Sequence, residues 1–494
     1  MLEKLLRLGK ETAIYGLSSI VGRFLNFLLV PFYTNVLLPS EYGVIANLYS
    51  YIAFAMILYG YGMDAAYMRF VSSLEIGDKK QNFSTPFLSL VVTSFTCSLL
   101  LHLSAPSVAT LIGMRAVDGR LIQYAAWIMF FDTLAIVPYA YLRMENKAGT
   151  FATIRVVNIV MQIVFNVVLI VGLRMKVEGV LIANLTASVL TFFIHLRFIV
   201  PNFTSSFSRP LYRELLKFGL PYIPAGLASI AMQVIDRPIL KALTNDATVG
   251  IYQANYRLGI FMMLVVGMFD YAWKPFFLQH AEDKDAKTLF SKVFTYFLVA
   301  AFLLCVLLTL FVEDLIHIKI GSVYFINPDY WGGIAIVPII LLSYIFNGAY
   351  VNFVVGIYLE KKTSYLPWVF GAGALTNVVV NFTLIPVMGI MGAAYATLAA
   401  YLVLAVGIYF ASQKFYNVQY EWRKILSLAA AAAVTVALFE LLNIPPATVF
   451  GLLEKTGLMV LFVVLLFVGR VFDRKDLSRA WDLMTGLLGR SGTR

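Results

Sequence analysis

The chain has 494 residues and a formal net charge of +11, yet only 13% of its residues are charged while 60% are apolar. A soluble domain carries roughly 25% charged residues, so at this composition the solvent for most of the chain is lipid, which excludes a soluble enzyme, a disordered protein and a secreted disulfide scaffold. The surplus of Lys and Arg reads as the cytoplasmic bias of a membrane protein rather than as a nucleic-acid surface, and Cys97 and Cys305 sit in apolar runs as packing residues.

A crossing needs about 20 mostly apolar residues. In chain order such runs predict helices over 13–37, 43–68, 84–105, 119–142, 151–173, 179–199, 218–241, 250–279, 289–312, 331–358, 364–387, 389–411, 425–443 and 453–472. The first run is too long for a signal-peptide core, contains Arg23 and lacks a small-residue cleavage site, so it is expected to be retained. The junctions at 387–389 and around Gly179 are the tightest, with a shorter or re-entrant pair as the alternative at each. The predicted fold class is an all-α polytopic membrane protein with about fourteen transmembrane helices. Lys and Arg beside the connections divide 26 against 7 between the two sides. That ratio places both termini in the cytoplasm. No connection is long enough to fold alone.

The chain resembles itself. A shift of 207 residues lays Lys10 on Lys217, Tyr15 on Tyr222, Pro31 on Pro238, Gly43 on Gly250 and Tyr49 on Tyr256. A shift of 215 lays Gln162 on Asn377 and Asn166 on Asn381, and after a two-residue gap Gly179 falls on Gly392. Lys, Pro, Gly and Asn are matched, not only Leu and Val. Six helices are an even number, so the halves enter the membrane in the same direction, as two parallel pseudo-symmetric lobes related by an axis along the membrane normal. The expected division is 1–205 for the first lobe, 206–415 for the second, and 416–494 for two extra helices and a cytoplasmic tail.

Particular residues then point to a family. Lys10-Glu11-Thr12 with Tyr15-Gly16-Leu17, the run Val30 to Thr34, Glu41-Tyr42-Gly43, the stretch Gly62 to Phe70, and Asp236-Arg237 ahead of Val249 to Tyr252 resemble prokaryotic polysaccharide transporters. These belong to the multidrug/oligosaccharidyl-lipid/polysaccharide superfamily. The resemblance implies two lobes around a central cavity and a flippase for undecaprenyl-pyrophosphate-linked oligosaccharide. It would serve O-antigen, capsule or exopolysaccharide assembly in the bacterial inner membrane. The implied partners are that lipid-linked oligosaccharide, membrane lipids and a coupling cation, with no cofactor and no nucleic acid.

A charge inside a span should face a cavity or a partner. Arg155, Lys274 and Asp64 lie near span ends and can snorkel; Asp270 and Lys274 are four apart and can pair. Asp236 and Arg237 are neighbours about 100° apart on a helix, so each is expected to pair elsewhere. Arg23 and Arg257 are deep, in opposite halves and without an acid three or four residues away. They fit a water-filled cavity holding an anion, whose pyrophosphate oxygens suit a forked guanidinium. The competing reading of Arg23 is a structural pair with Asp132, the mid-span acid that is also nominated for cation coupling. Asn26, Asn158, Gln162, Asn166, Asn377 and Asn381 are the expected polar lining; Asn158, Gln162 and Asn166 form a stripe that either binds sugar or glues helices. A phosphate-binding Gly-rich loop is missing, and the four histidines form no cluster. A cation-coupled drug exporter and a membrane polymerase or transferase are the alternative readings. The first lacks its acid in span one, and the second lacks an outer loop large enough for a catalytic site.

Overall fold

The computed structural model of the chain describes Gly16, residues 20–321 and residues 323–472. Lys10, Glu11, Thr12, Tyr15, Leu17 and the tail after Phe472 lie outside the described residues. In chain order the helical segments are α1 (Ile20–Val36), α2 (Pro39–Ser73), α3 (Lys79–Leu103), α4 (Ala116–Met144), α5 (Ala148–Gly172), α6 (Lys176–Asn202) and α7 (Arg209–Gly219 with Tyr222–Val234). They continue with α8 (Asp246–Leu258 with Ile260–Gln279), α9 (Ala286–His317), α10 (Pro328–Leu359), α11 (Thr363–Met388), α12 (Ile390–Phe415), α13 (Trp422–Leu442) and α14 (Val449–Val468). Twelve helices are long and apolar enough to cross a membrane on their own, and the pair in α7, bent by 41°, makes thirteen. The described part of α1 is shorter, so fourteen crossings is an approximate count. The chain is a multi-pass membrane protein.

Proline sets three of the helix breaks. It has no N–H for the carbonyl four residues back, and its ring crowds that turn. Pro31, Pro138 and Pro238 each follow a break three residues earlier, at Leu28, Ala135 and Ile235. Leu28 and Ile235 are themselves 207 residues apart, so the kink repeats with the sequence.

Glycine sets the close approaches. A Cβ built on Gly43 would overlap the carbonyl of Asp246, and one built on Gly250 would overlap the carbonyl of Pro39. At the far end of α2, Gly62 adopts a left-handed φ of 72° and packs directly on the backbone of Gly219 in α7. The tight turns that join α5 to α6 and α11 to α12 are also alike, for Gly179 and Gly392 each press on the end of the preceding helix. Both pairs are separate helices, not re-entrant loops.

The connection between α9 and α10 holds a short antiparallel hairpin, β1 (Lys319–Ile320) and β2 (Val323–Tyr324). It reaches across to the first half, where Asn35 donates to the Tyr324 carbonyl at 2.8 Å. Nearby, the Tyr330 hydroxyl donates to the Leu37 carbonyl at 2.9 Å. The largest apolar cluster is mostly in the second half but takes in Phe27, Val30 and Tyr42 of the first, with Trp273 packed among Phe269, Phe277 and Phe290. The last two helices are tied to it by Lys455, which is fully buried and paired with Asp314 of α9 at 2.6 Å.

Candidate functional site

The stripe on α5 organises the site. Asn158 donates to the Thr191 hydroxyl of α6 at 2.8 Å, and Gln162 donates to the side-chain carbonyls of Asn158 and Asn184 at 3.1 and 3.2 Å. Asn184 donates in turn to the Tyr49 hydroxyl at 2.6 Å. Asn166, one turn further on, is buried and accepts from the Tyr33 hydroxyl at 3.0 Å. These amides tie α5 to α6, α2 and α1, and Asn158 and Gln162 also border open space.

That space has two chambers between the halves, of about 770 and 410 Å³. Asn26 and Gln162 border both. The larger chamber is walled by α2, α4, α5, α6 and the start of α7 and contains Asp132, Arg143 and Arg155. The smaller contains Tyr33, Tyr49, Arg237, Gln253 and Arg257. Arg155 lies over the rings of Tyr139 and Phe151 at 5.1 and 5.2 Å. No acid among the described residues comes within 4 Å of Arg155 or Arg257. Asp132 faces Ser188 and Arg155.

Arg237 is different because its charge is spent. Its Nη1 lies 2.6 Å from Asp236 Oδ1, its Nε donates to Gln253 at 3.1 Å, and its guanidinium stands 4.2 Å from the Tyr256 ring centre. Asp236 also accepts from the Tyr252 hydroxyl at 2.5 Å. The expectation that Asp236 and Arg237 pair elsewhere is therefore corrected. The break at Ile235 puts both at the start of a new helical segment, and the long arginine folds back on its neighbour.

Other expected residues stand apart from the chambers. Arg23 is directed at Gly267 of α8, where an added Cβ would sit 3.6 Å from its Nη1. It borders neither chamber and is not paired with Asp132. Asn377 and Asn381 are 1% and 0% exposed and border neither chamber. Asn381 donates to the Asn377 carbonyl at 2.8 Å, as Asn166 donates to the Gln162 carbonyl at 2.7 Å. The side chains keep their repeat-related hydrogen bond, but of the four amides only Gln162 borders a chamber; Asn166, expected in the lining, is 2% exposed and borders neither.

A family described as "Polysaccharide biosynthesis protein" matches residues 8–281, more than half of the chain. The chain belongs to this family. An uncharacterized membrane protein of Methanocaldococcus jannaschii, MJ1068, is 22% identical over 435 residues, which covers 80% of this chain and 83% of that one. Among solved structures, the lipid II flippase MurJ in an inward closed conformation superposes with a TM-score of 0.76 at 15% identity, covering 94% of this chain and 99% of MurJ. An inward-facing multidrug resistance transporter of the MATE family, MOP superfamily, gives 0.63 at 13% identity, covering 80% and 94%. These likenesses establish a MurJ/MATE-like fold for this polysaccharide biosynthesis family member.

In this family member the residue that sequence reasoning passed over is Arg155. It stands close to a span end, so its depth suggested snorkelling; the structure places it on the wall of the larger chamber, across the Tyr139 ring. Tyr139 sixteen residues before it, on the adjoining helix, was the available signal.

Proposed function

We propose that this chain is a flippase that carries undecaprenyl-pyrophosphate-linked oligosaccharide across the cytoplasmic membrane by alternating access, for O-antigen, capsule or exopolysaccharide assembly. In this reading residues 1–205 and 206–415 are the two rocking lobes, 416–494 lie outside the repeat, and both termini are cytoplasmic. The observation that carries it is the pair of guanidiniums, Arg155 and Arg257, without an acid partner among the described residues, in chambers edged by amides. An arginine within a span that faces a cavity rather than an acid suits an anionic ligand, and a pyrophosphate offers oxygens in the spacing that a guanidinium fork accepts. Asn26, Asn158 and Gln162 supply donors and acceptors to sugar hydroxyls. Asp132, beside Arg155, is the acid placed to take a coupling cation.

The test is reconstitution. Vesicles containing lipid-linked oligosaccharide and the protein are probed with an added lectin that reads the sugar on one leaflet. A charge-assisted contact is worth roughly 1.5–3 kcal/mol. Arg257→Ala and Arg155→Ala should therefore slow transfer by about tenfold to over a hundredfold, with the Lys variants intermediate. Wild-type rates for both alanine variants at equal protein would end this reading.

A further inference from the structure

We propose a second ligand site, remote from the chambers: a pocket for the phosphate of an anionic phospholipid where the first turns of α9 meet the α12–α13 connection. A cavity of about 530 Å³ lies there, bordered by Lys287, Thr288, Ser291 and Lys292 of α9 and by Asn417 and Glu421. Three observations give it its chemistry.

The first is charge. Glu421 is the acid on the rim, and both of its oxygens are taken: Thr295 donates to Oε2 at 2.7 Å and Lys424 to Oε1 at 2.8 Å. Lys287 rests over the Tyr416 ring at 4.8 Å, and neither it nor Lys292 has an acid within 4 Å among the described residues. The pocket keeps a net positive charge, to which the N-terminus of a 32-residue helix adds its dipole.

The second is an unused hydroxyl. Ser291 is 3% exposed, borders the cavity, and its Oγ has no hydrogen-bond partner. Buried polar atoms are nearly always partnered, so a hydroxyl waiting beside two lysines calls for an acceptor.

The third is position. Tyr420 and Trp422 flank the same connection, with Trp422 43% exposed, and Arg423 and Arg470 stand behind it. Exposed Trp and Tyr beside cations mark the level of lipid headgroups, and basic pockets between spans take acidic headgroups. Size agrees, for the volume falls in the range of small-ligand sites. The site joins the second half to the α13–α14 hairpin and is independent of the cargo.

The full-length protein in mild detergent is titrated with phosphatidylglycerol or phosphatidylcholine, and bound lipid is counted by native mass spectrometry. At about 1 kcal/mol per basic residue near a charged surface, Lys287→Gln/Lys292→Gln should weaken phosphatidylglycerol binding about thirtyfold. Lys79→Gln/Lys80→Gln on α3 should leave it unchanged. Ser291→Ala removes a hydroxyl that bonds nothing in the protein, so it should weaken binding several-fold at unchanged thermal stability. Equal binding of phosphatidylcholine, or unaltered phosphatidylglycerol binding in the double variant, overturns the site. Displacement of phosphatidylglycerol by millimolar inorganic phosphate overturns the lipid assignment in favour of the free anion.

Discussion

Gly43 and Gly250 occupy each other's mirror position: each, given a Cβ, would place it 3.0 Å from the other's backbone nitrogen. Gly43 abuts Asp246 and Gly250 abuts Pro39, and Asp246 is Pro39 advanced by the same 207 residues. A contact that survives exchange of its partners is isologous, so a local two-fold axis runs between α2 and α8 at this crossing.

The crossing gives the first prediction. Gly43→Ala has no room unless α2 and α8 separate. Overpacking costs typically 1–3 kcal/mol, which tilts a two-state equilibrium about fivefold to over a hundredfold toward states open at this end. With Cys97 and Cys305 replaced by Ser, a cysteine placed at Gln253 should react with an impermeant maleimide at least several times faster in Gly43→Ala. An unchanged rate would show that the crossing is no gate.

The Asp236–Arg237 pair is expected to be structural. Removing one member of a buried pair costs about 3–5 kcal/mol, because the other is left uncompensated. Asp236→Asn should lower the folded yield and the Tm of the purified protein, and Asp236→Asn/Arg237→Gln should recover part of both. A variant of normal Tm that fails in transport would move the pair into the mechanism.

Lys455 and Asp314 predict the same pattern at the C-terminal hairpin. Lys455→Met alone leaves Asp314 with one backbone donor, Ala447 N at 2.7 Å, and should destabilise by about 3–5 kcal/mol. Lys455→Met with Asp314→Leu should return most of it. The readout is thermal unfolding of the detergent-solubilised protein followed by intrinsic fluorescence, and equal Tm values for the single and double variants would contradict the pairing.

Topology makes a separate prediction. A reporter active only outside the cytoplasm should be silent after Arg494 and active when inserted at Gly321, in the hairpin between α9 and α10. The opposite pattern would invert the molecule.

The helices were legible because hydropathy is a local property: the tightest predicted junction, 387–389, falls on Gly389, whose φ of 57° ends α11 and starts α12. The repeat was legible because it is written in Pro and Gly, which fix backbone geometry. Direction was harder. Arg23 and Arg155 differ in depth in a way that favoured Arg23, but which way a side chain faces depends on how α1 and α5 roll against their neighbours. Asn377 and Asn381 share the amide pattern of Gln162 and Asn166, yet their face of α11 is buried. A symmetric sequence does not oblige the two halves to open toward the same cavity. Glu421 binding Thr295 joins residues 126 apart, and no local pattern announces it.

The buried lysine also bears on how the protein is made. Lys455 is the seventh residue of α14, so it sits about 10 Å along the helix, where insertion scales charge about 2.5–3.5 kcal/mol for a bare lysine. Synthesis delivers α9 and its Asp314 to the bilayer well before α14 emerges. The last segment thus finds its counter-charge already waiting, and the hairpin joins the bundle as a late passenger whose ticket is a carboxylate laid down more than a hundred residues earlier. Quality control has a natural checkpoint there: a chain whose second half has misfolded cannot neutralise its own end.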